Sequence, residues 1–138
     1  MLRTVPLLFL LIFASCKKDE LSTAPISEMP SQNAIVLKTG IFENGPYGRV
    51  SGVAKLLKTS NSYEIVLDSF MTSNGPDLYV YLSQEKMPIN FISAGKLKST
   101  NGRQVYPLNP VPGNLTTYKY IAIHCKAFNH LFGYASLP

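Results

Sequence analysis

The sequence predicts an all-β fold, an antiparallel β-sandwich or partly closed barrel of about seven to nine short strands. Three observations carry this expectation. Turn signals recur along the chain at Asn44-Gly45-Pro46, Asn61-Ser62, Asn74-Gly75-Pro76, Asn101-Gly102 and Pro112-Gly113-Asn114. The stretches between them are short and rich in β-branched and aromatic residues, a composition that fits a pleated sheet. Several alternate with period two: Ile65 and Leu67 interleave with Glu64 and Asp68.

Taken in order, the expected strands are Ile35 to Phe42, Arg49 to Leu57, Tyr63 to Phe70, Leu78 to Ser83, Gln104 to Leu108, Tyr118 to Cys125 and Phe132 to Leu137. Two further short pieces are expected near Phe91 to Leu97. Val50 and Val53 lose register around Gly52, which predicts a bulge. In the sixth strand Ile121, Ile123 and Cys125 share one face, and Tyr120, Ala122 and His124 share the other. Tyr79, Tyr81, Tyr118 and Tyr120 read as ladder residues of a sheet, or as the lining of a ligand-binding face.

The chain has 138 residues and a formal net charge of +5, enough for one domain. It starts with Met1-Leu2-Arg3 and the apolar run Leu7-Leu8-Phe9-Leu10-Leu11-Ile12-Phe13. A short positive end before an apolar run of about ten residues has the build of a secretory leader. Phe13-Ala14-Ser15-Cys16 then resembles a bacterial lipobox, in which small residues fit the peptidase and the cysteine thiol carries a diacylglycerol thioether. Phe13 stands where Leu is commoner. The expected organisation is a leader at 1–15, a lipidated Cys16 with a polar, Pro-containing tether over 16–33, and a β domain over 34–138. The expected partner is therefore a lipid bilayer, reached through acylated Cys16. The expected location is the bacterial cell envelope. Lys17, which is not the Asp that retains some lipoproteins at the inner membrane, points to the outer membrane. Basic residues are spread evenly, without the aromatic-interleaved cluster of a nucleic-acid binder, so no nucleic-acid partner is expected.

With Cys16 acylated, Cys125 is the only remaining thiol and has no intrachain disulfide partner. It is either a small buried hydrophobe or a reactive thiol, a metal ligand or a haem ligand. His124 and His130, the only histidines, form a loose His-Cys-x4-His cluster with it. Zinc ligands are usually spaced more tightly, so no metal site is assigned. Asp77, in Gly75-Pro76-Asp77 ahead of Leu78-Tyr79-Val80-Tyr81-Leu82, either fixes a turn or faces a ligand or the thiol. No nucleophile elbow, phosphate loop or His-Glu-x-x-His motif is present, and the carboxylates lie in separate elements. A hydrolase is accordingly disfavoured.

Several of these residues line up with one family. Gly40-x-Phe42, Val50-x-Gly52-x-Ala54, Gly75-Pro76-Asp77-Leu78, Gly95-x-Leu97, Tyr118-x-x-Ile121-x-Ile123-x-Cys125-x-x-Phe128 and Phe132-Gly133-x-Ala135 resemble the DM thirteen domain, called the electron-transfer domain. The resemblance covers about residues 34 to 138. It implies a β-sandwich-like fold and a redox role for a cysteine matching Cys125, as a naked thiol or as the binder of a prosthetic group such as haem. Many members carry Trp before that cysteine, where this chain has His124. Because the chain has no partner electron-transfer domain of its own, a separate redox protein of the envelope is the implied donor or acceptor. The functional expectation is thus an envelope-anchored electron-transfer module centred on Cys125, with Asp77 and His124 as accessory residues. The alternative is a non-catalytic cell-surface binding module in which Cys125 packs the core.

Overall fold

A computed structural model describes Met1, residues 20–109 and residues 113–138. Cys16 and its lipobox lie outside the described residues. The described chain forms nine strands: β1 (Ile26–Ser27), β2 (Ile35–Asn44), β3 (Val50–Lys58), β4 (Tyr63–Thr72), β5 (Leu78–Ser83), β6 (Phe91–Lys96), β7 (Asn101–Pro107), β8 (Tyr120–Cys125) and β9 (His130–Ser136). A short 3-10 turn at Leu115–Thr117 precedes β8, capped by the Asn114 side chain accepting from Thr116 N–H.

The strands make one sheet in the order β1-β7-β4-β3-β2-β9-β8-β5-β6. All pairings are antiparallel except β1 with β7. The sheet curls into a half-barrel, and β6 comes back towards β7. The long strand β2 makes the bend: it pairs with β3 up to Ile41 and with β9 from Phe42 onward. A curled sheet encloses its own core, so alternate residues of nearly every strand point inward. Ala54, Leu56, Ile65, Leu67, Phe70 and Ile123 are fully buried there.

The expected bulge at Gly52 is present as a register shift between Ser51 and Val53, opposite Ser69 at φ 49. The pieces near Phe91 to Leu97 are one strand, β6. Asn101-Gly102 opens β7 instead of forming a turn. Gly102 has φ +98, and the Ile26 backbone packs so closely that a β-carbon would lie 2.1 Å from its oxygen.

The largest departure from the sequence reading concerns residues 20–33, which composition assigns to a flexible tether. They are strapped to the domain. Ser22 bridges to Ser99, and β1 lies along β7. Glu28 pairs with Lys98 at 2.8 Å and accepts from Val105 N–H at 2.7 Å. Ser31 donates through N–H and Oγ to the buried carboxylate of Glu64, at 2.8 and 2.9 Å. Polar composition predicts solvation; here the polar atoms instead satisfy a sheet edge and a buried acid.

The register defines two ends. One carries the β2–β3, β4–β5, β6–β7 and β8–β9 connections, together with the start of the strap. The far end carries the β3–β4, β5–β6 and β7–β8 connections and the start of β2.

Candidate functional site

Cys125 ends β8 at the first of these ends. It is a free cysteine with 1% exposure. Its direct cross-strand partners are Leu78 on β5 and His130 on β9. Paired residues in an antiparallel ladder point to one face, and Cys125 joins Leu78, Ile121, Ile123 and Phe132 in the inner core. The two-face division expected for this strand holds.

His124 therefore points away from the thiol. Its imidazole lies on the outer face, with the ring of Tyr81 at 5.5 Å and Nε2 2.9 Å from Asn129 Oδ1. With Nε2–H donating to that oxygen, Nδ1 keeps a lone pair, and it is buried with no hydrogen-bond partner. A second proton would have no acceptor there. Burial pushes the His124 pKa down, the bond to Asn129 works against this, and the nearby His130 adds to the lowering. Both the unpartnered Nδ1 and the lowered pKa favour the neutral ring.

Asp77 makes a backbone tie beside the thiol. Its carbonyl accepts from Lys126 N–H at 2.9 Å, tying the Gly75-Pro76-Asp77 turn to the residue after Cys125. Its charge is felt by Tyr81, whose pKa is raised first by burial, then by the Tyr79 and Asp77 charges. Tyr81 is 3% exposed, whereas Tyr79 and Tyr120 are half-buried. Tyr118 lies outside the strands and packs partly against the core. The tyrosines form a packed layer rather than an open binding face: Phe91 stacks on Tyr81 at 4.1 Å, and Met87 fills in beside it.

His130 is not a solvated loop residue. It stacks flat on Tyr47 at 3.6 Å, with Phe128 at 5.9 Å on the same hairpin. Tyr47 and Phe128 are 56% and 62% exposed. Nothing in the sequence joins Tyr47 to the His130 region; the contact arises because β2 crosses to β9. Among the described residues no group of three or more His, Cys, Asp or Glu is placed to hold a metal ion.

The thiol is roofed by close packing. Phe132 seals the end of the core, and two connections press on its ring. A β-carbon on Gly48 would lie 2.6 Å from that ring, and one on Gly75 would lie 2.8 Å from it. Only glycine allows both loops to approach so closely. Leu21 of the strap packs on the same core and lines a cavity of about 250 Å³ with Gly75, Pro76, Leu78 and Leu97. Leu78 thus stands between that cavity and Cys125. A buried polar chain holds the strap's seat: Tyr106 Oη donates to Gln104 Oε1 at 2.6 Å, and Gln104 Nε2 donates to Ser99 O at 2.8 Å. Ser99 Oγ then donates to Ala24 O, also at 2.6 Å.

A haem does not fit this arrangement. The Cys125 sulfur is enclosed by apolar side chains, and none of the three described surface cavities is lined by Cys125. His124, adjacent in sequence, is on the opposite face of the sheet, and the ring of His130, opposite Cys125 in the register, is stacked on Tyr47.

The fold and site define a small half-barrel β domain with one thiol shielded beneath its loop end. The sequence matches the Electron transfer DM13 family over residues 42–137, and the chain belongs to that family. No curated protein and no solved structure matches it. Some of the segments quoted for the resemblance meet in the fold: Gly75-Pro76-Asp77, Cys125, Phe128 and Phe132-Gly133 lie at the thiol end, whereas Gly40 is mid-strand in β2 and Tyr118 is at the far end.

Proposed function

We propose that the protein is an electron-transfer module held at the cell envelope by lipid on Cys16, with Cys125 as its redox-active group. The observation that supports this reading is the match to the electron-transfer family over residues 42–137, with its Gly75-Pro76-Asp77 and Phe132-Gly133 segments lying at the same end as the one shielded thiol. The chemistry available to a lone cysteine is exchange. The Cys125 thiolate attacks a disulfide RSSR, forms Cys125–S–S–R and releases RS⁻; a second thiolate R′S⁻ then attacks the R sulfur, forms RSSR′ and releases the Cys125 thiolate, so each S–S bond formed replaces one broken and the oxidising equivalent passes from one partner to the next. The packed roof blocks the approach of a disulfide, so exchange requires opening at the Leu21 and Gly75 side. The donor or acceptor is a separate envelope protein. No step is assigned to haem.

One observation favours a second reading, a non-catalytic binding module: the 1% exposure of Cys125 among apolar neighbours suits a packing residue. One experiment separates the two. In a Cys16→Ser background Cys125 is the only thiol, and its reaction with an aromatic disulfide is followed against pH in the native and unfolded chain. The redox reading expects slow native labelling that accelerates when the strap is loosened and yields a reducible mixed disulfide. Labelling seen only on global unfolding, with the native rate unmoved by loosening the strap, supports packing alone.

A further inference from the structure

We propose that the domain sits on the bilayer with its thiol end turned towards the lipid headgroups. The proposal rests on the anchoring reading of Cys16 and adds an orientation to it. If residues 17–33 were a free tether, the domain could stand as far as roughly 60 Å from the anchor in any pose. The strap removes that freedom. It begins at Glu20, beside Gly75, Pro76 and Lys96 at the thiol end. From Glu20 back to Cys16 is four residues, at most about 14 Å when fully extended.

The surface at that end suits a headgroup layer. Tyr47, stacked on His130, and Phe128, tilted beside it, are exposed there, and Arg49, Lys96 and Lys126 are exposed at the same end. Aromatic rings flanked by cations are the side chains that settle at a membrane–water interface, where the ring meets the acyl boundary and the cation meets phosphate. Glu20 and Asp77 lie at the same end, so short reach and aromatic contact carry the pose rather than net charge.

The competing surface is the exposed apolar run Ile35, Val36 and Leu37 on β2, at 64%, 51% and 44% exposure. It lies at the far end, roughly 30 Å away along the strands, beyond the reach of the anchor while the strap is seated. In the proposed pose a partner that reaches the Cys125 end meets it at the lipid surface.

The chain contains no Trp, which gives a direct test. Phe128→Trp and Ile35→Trp, both at exposed positions, are made in the full lipidated chain. Each is reconstituted in phosphatidylcholine–phosphatidylglycerol vesicles with or without brominated acyl chains. Both variants should float with the vesicles. The Phe128→Trp emission should lose most of its intensity in brominated vesicles, and the Ile35→Trp emission should be unchanged. Flotation with Phe128→Trp unquenched, or with Ile35→Trp quenched instead, overturns the orientation and leaves the anchor standing. Failure to float overturns the anchor and the orientation with it.

Discussion

Replacing Gly102 by Ala should release the strap without unfolding the domain. Gly102 has φ +98, so an alanine side chain at this position brings backbone strain of about 1–3 kcal/mol. Its β-carbon would also fall 2.1 Å from Ile26 O and 2.5 Å from Ile26 N, and backbone cannot swing aside as a side chain does. β7 is hydrogen-bonded to β4 on its other side, so β1 must move. Bonds given up include Thr100 N–H to Ser22 O, Glu28 N–H to Arg103 O, and Ser99 Oγ–H to Ala24 O. Each contributes about 1 kcal/mol net, but ordering the strap costs about 1–2 kcal/mol per residue, so the strap is held by a small margin. The expected loss is therefore about 2–4 kcal/mol, mostly strain, measured by urea unfolding. Hydrogen exchange read by mass spectrometry should show faster exchange around Ser22 to Glu28, with β8 still protected. Unchanged strap protection and unchanged stability in Gly102→Ala would refute the claim that this contact seats the strap.

Other consequences follow from the same structure. His124 has a lowered pKa in the folded state, so the unfolded chain binds its proton more readily. Its contribution is intact above about pH 6.5 and is lost as pH falls from there through the folded value, with a slope of at most about 1.4 kcal/mol per pH unit. His124→Phe should flatten the pH dependence of urea stability between pH 7 and 5; Glu28 and Asp68, whose pKa values are lowered, act at more acid pH. Tyr106→Phe leaves Lys98 N–H without its acceptor and removes the donor to Gln104 Oε1; it should cost about 1–3 kcal/mol by thermal or urea unfolding. Cys125→Ser should be less stable than Cys125→Ala, because a buried hydroxyl among apolar neighbours adds a desolvation cost of about 1–3 kcal/mol, read as the difference between their urea midpoints.

Much of the sheet was legible because its cause is local. Leu78 to Ser83 carries an unbroken strand pattern bounded by Gly75-Pro76 and Gln84-Glu85, and β5 has those bounds. The bulge at Gly52 could be read from Val50 and Val53 losing register, and the opposite faces of Ile123 and His124 from simple alternation. What escaped was long-range. β1 is two residues long and stable only because β7 offers an open edge. Glu64 reads as an outward residue of an alternating strand, yet it is buried under Ser31. The stack of Tyr47 on His130 depends on β2 changing partners at Phe42, which no local pattern announces. For the candidate site, alternation along β8 showed the inward face of Cys125. It could not show that the Asp77 carbonyl holds Lys126 N–H, or that Gly48, Gly75 and Leu21 pack over that end.

The central claim is that Cys125 is the redox group of the module. It is tested most directly by an electrochemical titration of the folded chain in a Cys16→Ser background, with a small thiol–disulfide couple as mediator, beside the Cys125→Ala variant. The account predicts a reversible two-electron response in the first protein, slow to equilibrate and faster once Gly102→Ala frees the strap, and none in the Cys125→Ala protein. The same response from both proteins, or none from either, would contradict it.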